Sequence, residues 1–264
     1  MKKIAAKNTS AKKEKAKTIK SISNNELTAK NFIEKLLSLQ SDTELKKIQR
    51  YFKTGKDEDE KRDEFIGVKM GQLFALAISF EGMPINEIEK LLESNIHEAR
   101  AGAVSIMDKE SRSKKIKEER KKEFYELYMR RHDRINNWDL VDLGCLHMTG
   151  CYLFDKPRAI LYKLAKSKNL WERRTAIVST CYFIREGETD DTFKIAEILL
   201  KDKEDLIHKG TGWMLRFAGD KDRQRLLSFL DKYAAEMPRT LLRYTIEKLD
   251  KTKKEYYMNL KNKK

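Results

Sequence analysis

Two stretches of the chain read NIHEARAGAVSIM (95–107) and NLWERRTAIVSTC (169–181). At an offset of 74 they pair Asn95 with Asn169, Glu98 with Glu172, Arg100 with Arg174, Val104 with Val178 and Ser105 with Ser179. A third stretch, LIHKGTGWML (206–215), aligns with LWERRTAIVS (170–179) at an offset of 36. The shared unit is therefore near 37 residues, and the longer offset counts two of them. A unit of this length holds two short helices and cannot bury its own apolar face, so copies must stack to make a core.

The rest of the chain agrees. Of 264 residues, 40% are apolar and 38% charged, with 11 Gly and 3 Pro. Few turn formers among many Leu, Ile, Ala, Lys and Glu predict an all-α protein. Apolar positions Leu27, Phe32, Ile33, Leu36 and Leu37 recur at helical spacing and predict a helix from about Asn25 to Gln40. Ser41 and Glu44 form a capping-box pattern that opens a second helix over 41–53. An acidic loop, TGKDEDEKRDEF, follows, and from Val68 onward short helices alternate with brief polar turns. The expected architecture is a HEAT-like helical-repeat array, one domain over 22–250, curved into an α-α superhelix with a basic concave groove. The second helix of each pair would line that groove, making 96–108, 135–150, 170–184 and 206–218 neighbours.

The formal charge is +15 and it is uneven. Residues 1–20 carry eight Lys against one Glu, and residues 251–264 six Lys against one Glu. Residues 1–21 read as a basic, disordered tail and 251–264 as a basic C-terminal tail, each solvated or serving as a non-specific polyanion anchor. Excess positive charge favours an anionic partner, nucleic acid or an anionic membrane surface. No apolar run is long enough to span a membrane, and the basic N-terminus lacks the apolar segment of a signal peptide. Cys145, Cys151 and Cys181 form no CxxC, and an odd count suits a reducing compartment.

The expected second helices carry unusual side chains. Trp138 and Asp142 stand at i and i+4 in RINNWDLVDL (134–143), on one helix face. Arg173 and Arg174 precede the apolar run AIVSTCYFI; Lys209, Trp213 and Arg216 lie on the next helix; Arg100 comes before them and Arg239 and Arg243 after. Each has a plainer reading. Either indole alone suits a core, Arg174 suits an ion pair that caps the repeat, and Asp142 suits the positive end of a helix dipole. His97, His132, His147 and His208 show no metal-ligand spacing, and no phosphate-binding glycine loop or Ser/His/Asp set is visible. The paired carboxylates of a sugar hydrolase are absent as a local motif. An enzyme built from these residues must act with one carboxylate on a substrate that already has a good leaving group.

Several stretches in order resemble the DNA alkylation repair family of HEAT-like-repeat DNA glycosylases: RYFKTGK (50–56), FIGV (65–68), HEARAGAVSIMDK (97–109), RINNWDLVDL, NLWERRTAIVST (169–180) and HKGTGWMLR (208–216). The resemblance covers roughly residues 25–250. It implies excision of N3- and N7-alkylated purines from double-stranded DNA, with no cofactor and no metal. Such bases are cationic and leave without protonation, so one anion suffices to stabilise the sugar cation and hold water. By resemblance Asp142 is that anion, and Trp138 and Trp213 face the same charge with their indoles. By resemblance Arg174 contacts the lesion-strand phosphate and Tyr51 lies near the site; Arg173, Lys209, Arg216 and Arg243 complete the expected DNA-binding set. The resemblance also implies that the duplex is held without a deep base pocket. The chain departs from the family pattern at Lys69-Met70-Gly71, Gly144-Cys145 and Phe217.

A monofunctional alkylpurine glycosylase is thus the expected activity, carried by a cytoplasmic monomer that associates with the nucleoid through DNA. The alternative is a non-catalytic relative that binds damaged or branched DNA. A protein-interaction scaffold would leave the charge and the Trp138–Asp142 pair without a role.

Overall fold

In the computed structural model the described residues are 23–51 and 63–260, without the side chains of Asn24 and Tyr51. Helix α5 (His97–Ser111) shows how the array is built. Ala99, Ala101, Gly102, Ala103, Val104 and Ser105 are all buried, so the helix is enclosed on every side. Small side chains allow this, because they let neighbouring helices approach closely. The same holds for α10 (Leu170–Arg185), buried without a break from Arg174 to Cys181.

These helices belong to an inner row. It runs α5, α7 (Trp138–Gly144) with its π-helical continuation Cys145–Gly150, α10, α12 (Asp205–Lys221) and α14 (Arg239–Thr245), each packed on the next. An outer row pairs with it: α4 (Ile85–Glu93) on α5, α6 (Glu118–Arg130) on the π segment, α9 (Ala159–Leu164) on α10, α11 (Asp190–Ile198) on α12 and α13 (Arg223–Tyr233) beside α12. Helices α1 (Ala29–Leu37), α2 (Asp42–Tyr51) and α3 (Met70–Ser79) precede this array, α8 (Cys151–Leu153) follows the π segment, and α15 (Lys251–Leu260) closes it. The protein is an all-α helical-repeat fold, and the four segments expected to be neighbours are neighbours. Among the described residues no helix is long and apolar enough to cross a membrane.

The repeat register differs by one residue from the sequence alignment. The first helical residues of α5, α10 and α12 are 97, 170 and 205, spaced by 73 and 35. Asn169 caps its own helix, its side chain accepting from the Trp171 N–H at 2.8 Å. Asn95 stands one residue before the cap, because Ile96 is held in a parallel bridge to Glu64. In the true register Arg100, Arg173 and His208 are equivalent. Each donates to the carbonyl six residues earlier, at 2.9, 3.0 and 2.6 Å. One residue is about 100° of helix rotation, so Arg174 points away from the direction that Arg100 takes.

Two other expectations shift. Helix α1 begins at Ala29 rather than near Asn25, since Thr28 caps it by accepting from the Asn31 N–H at 3.2 Å. The FIGV and HEAR stretches prove to be one structure. The buried Glu98 carboxylate accepts from the N–H groups of Ile66, Gly67 and Val68 at 2.9–3.4 Å. Gly67 makes that loop possible, with φ +79° and no room for a Cβ beside the Ser41 carbonyl. At the C-terminus, residues 251–260 are helical and docked: Tyr257 donates to Asp231 at 2.8 Å and Arg239 to the Met258 carbonyl at 2.6 Å. Residues 1–22 and most of the acidic loop lie outside the described residues.

Candidate active site

Three polar anchors set the start of α7. Arg134 donates to the carbonyls of Leu92, Glu93 and Ser94 at 2.9–3.1 Å. Asn136 bridges Arg100 and Asp63 at 3.2 and 3.3 Å. Asn137 caps the helix through the Trp138 N–H at 2.8 Å. Trp138 is therefore the first helical residue, 36% exposed, with Asp142 one turn behind it.

Asp142 is gripped by Arg174. The guanidinium donates Nε to Oδ1 at 3.0 Å and Nη2 to Oδ2 at 2.9 Å, a bidentate pair. Its Nη1 donates to the Leu206 carbonyl at 2.6 Å. Arg174 is 5% exposed, while the Asp142 side chain keeps 20% of its surface open. Burial raises the Asp142 carboxyl above its ordinary range; Arg174 opposes that shift and Asp139 adds to it. Gly210 leaves space for the clamp, since a Cβ there would stand 3.2 Å from Arg174 Nη1.

Behind the pair lies a buried polar lattice. Tyr128 and His132 both meet the Thr175 hydroxyl at 3.2 Å. Cys145 lies beside Tyr128, and burial pushes its thiol up to about 12. Such a thiol is not a nucleophile at neutral pH. The lattice instead ties α6, the turn after it and the π segment to α10.

Asp142 opens onto a cleft of about 410 Å³. Trp138, Trp213, Arg174, Lys209 and Arg216 line it, so the fold brings together six of the nine residues chosen from sequence. Trp213 is braced edge-on by Phe217 with ring centroids 5.8 Å apart. Lys209 pairs with Asp205 at 2.7 Å and Arg216 with Glu247. The other three lie elsewhere. Arg173 is committed to Asp202 and to the Ser167 and Lys168 carbonyls. Arg243 is exposed on α14 and does not line the cleft. The Tyr51 side chain lies outside the described residues.

Sequence reading did not single out two further features. Tyr244 lines the cleft from α14. A buried charge cluster stands on the other side of Trp138: His97 Nε2 meets Asp139 Oδ2 at 2.7 Å, its Nδ1 faces Asp63 at 3.5 Å, and Arg100 pairs with Asp63 at 2.5 Å. Burial disfavours the imidazolium, but the two carboxylates outweigh it and raise His97 to about 9. Asp63 is also buried, yet His97 and Arg100 hold it below its usual range. Among the described residues no group of three His, Cys, Asp or Glu is placed to hold a metal ion.

The structure resembles that of a predicted DNA alkylation repair enzyme from Enterococcus faecalis, with a TM-score of 0.60 over 80% of this chain and 97% of that one. The two are 16% identical, so the likeness is one of fold. No curated protein matches the chain. The model of the DNA alkylation repair enzyme family matches residues 32–249, from within α1 to beyond α14, and takes in the whole cleft. With that match the protein's role is DNA repair, its partner is DNA, and the chain belongs to the DNA alkylation repair enzyme family.

Proposed function

We propose that this protein is a monofunctional DNA glycosylase that hydrolyses the N-glycosidic bond of N3- and N7-alkylated purines in duplex DNA, acting as a monomer in the cytoplasm. The observation that carries the reading is the Asp142 carboxylate, ion-paired with Arg174 and open to a cleft between two indoles. An ionised carboxylate has about four lone-pair sites. Arg174 uses two, leaving the others for a water molecule and for the charge that develops on the sugar.

The alkylated base is already cationic. When the C1′–N bond breaks, its electron pair goes to the base, which leaves neutral, and C1′ becomes electron-deficient. Asp142 stabilises that centre, and Trp138 and Trp213 present their electron-rich faces to it. Water adds to C1′ and loses its proton to Asp142 or to solvent, leaving free base and an abasic sugar. Arg174 keeps Asp142 anionic against its burial. Lys209 and Arg216 supply positive charge for the phosphates on either side.

The test is incubation with duplex DNA carrying N7-methylguanine, followed by analysis of free base. Wild type releases it. Asp142→Asn keeps the shape and loses the charge. A full unit charge about 4 Å from a carboxylate at an effective dielectric of about 20 is worth roughly 4 kcal/mol, so the rate falls by about 10³. Tight, salt-sensitive duplex binding without release by wild type would replace this reading with that of a non-catalytic DNA binder.

A further inference from the structure

Arg174 is not the last cation on its face of α10. Arg185 stands 11 residues further on. That is about three helical turns, so the two share a face and lie about 16 Å apart along the axis. Cys181 lies between them, and both Arg185 and Asp142 act on its thiol. Arg185 does not line the cleft; it belongs to a second polar station on the inner row.

Three successive elements of that row build the station. From α5, Arg112 donates Nε and Nη2 to Asp108 Oδ2 at 3.0 and 2.6 Å. From the π segment, His147 donates Nδ1 to Asp108 Oδ1 at 3.2 Å. From α10, Arg185 donates Nη1 to His147 Nε2 at 3.1 Å. Asp108 is 1% exposed, so one buried carboxylate organises the row, while Arg112 and Arg185 are exposed. Burial and the two guanidiniums hold His147 below its ordinary range against the pull of Asp108. The neutral ring thus links the carboxylate to Arg185. Among the described residues Arg112 Nη1 and Arg185 Nε and Nη2 have no protein partner. The π geometry that carries His147 is itself uncommon and is found mostly at functional sites.

The anion of the station is buried and its spare donors face outward. Exposed Lys114, Lys115 and Lys117 follow Arg112, and Glu186 beside Arg185 offsets one charge. Two cationic lines therefore cross the same row of helices, Arg174 and Lys209 on one, Arg112 and Arg185 on the other. A duplex presents two phosphate backbones side by side, across grooves of about 6 and 12 Å. Long arginine side chains span the difference between the wider groove and the helix separation. We infer that Arg112, His147 and Arg185 hold phosphates of the strand opposite the lesion, while the cleft faces the lesion strand. Which strand lies on which line rests on the glycosylase reading.

Arg185→Gln tests this, because its one protein contact is to a neutral imidazole and its loss leaves the fold intact. Affinity is measured for a duplex carrying a tetrahydrofuran abasic site, with neutral methylphosphonate linkages scanned along either strand. Arg185→Gln is expected to weaken duplex binding about threefold to tenfold and to lower the salt slope by about one phosphate contact, and Arg185→Lys to restore most of both. At one stretch of the opposite strand, methylphosphonates should weaken wild type and leave Arg185→Gln within about twofold of its own affinity; in the abasic strand they should weaken both proteins alike. Unchanged affinity and salt slope in Arg185→Gln overturn the inference. So do additive effects all along the opposite strand, or non-additive effects in the abasic strand instead. Absence of N7-methylguanine release by wild type overturns the glycosylase reading alone, since the binding measurements need no chemistry.

Discussion

Arg174→Met removes the guanidinium that grips Asp142 and leaves an unbranched apolar chain in its place. Three hydrogen bonds disappear, two to the carboxylate and one to the Leu206 carbonyl. Stripping one partner from a buried ion pair costs about 3–5 kcal/mol when the remaining charge has no compensation. Asp142 keeps a fifth of its side chain open and draws water from the cleft, which lowers the cost to about 2–3 kcal/mol. For a chain of this size that is a fall in Tm of about 5–10 °C. The pH dependence separates charge from packing. Asp142 is already raised by burial, and the loss of Arg174 raises it further. A carboxyl with a raised folded-state pKa binds protons in the native state before it does in the unfolded state. Stability then falls as pH rises through that window. The deficit of the variant is therefore larger at pH 8 than at pH 5, because protonation of Asp142, favoured on the acid side, removes its need for a partner. The acid limb of base release moves to higher pH for the same reason. Thermal unfolding at both pH values, with single-turnover release between them, tests this. Equal deficits at the two pH values and an unmoved acid limb would show that Arg174 contributes packing alone.

Two further predictions concern the surroundings of the site. His97, raised to about 9 by Asp139 and Asp63 against its burial, contributes stability that is complete below about pH 6.5 and lost as pH rises through about 9. His97→Gln should lower stability near pH 6.5 by about 2–3 kcal/mol, read as a lower Tm, and flatten the decline of Tm toward pH 9.5; parallel wild-type and variant curves would remove the imidazolium from the account. Gly210→Ala gains about 1 kcal/mol of helix propensity but places a Cβ against Arg174 Nη1. Its Tm should hold while base release falls by about threefold to tenfold, since Asp142 shifts with its clamp. Release at the wild-type rate would mean that the clamp tolerates displacement.

The sequence carries local information well because local interactions fix it. Scarce Gly and Pro, the recurring apolar positions and the unit near 37 residues suffice for stacked helix pairs. Trp138 and Asp142 share a face because four residues are about one helical turn. Sequence could not give the partner of each polar group. Arg173 and Arg174 are adjacent and chemically identical, yet about 100° of rotation sends one to Asp202 and the other to Asp142. That choice depends on where α10 begins, which the Asn169 cap decides and the aligned Asn95 misstates by one residue. Asp63, His97 and Asp139 are distant in the chain and meet only when α5 packs on α7 and the Glu64–Ile96 bridge forms. The cavity of about 540 Å³ between α2, α3, α5 and α7 has no sequence signature, since its walls come from four helices and a loop whose apolar residues look like ordinary core. Helical class, repeat and the Trp138–Asp142 pair were legible in the sequence because they depend on neighbours along the chain. The ionisation of Asp142, the burial of Arg174 and the apolar space beside Trp138 were decided by tertiary structure, because each depends on how one helix is rotated against the next.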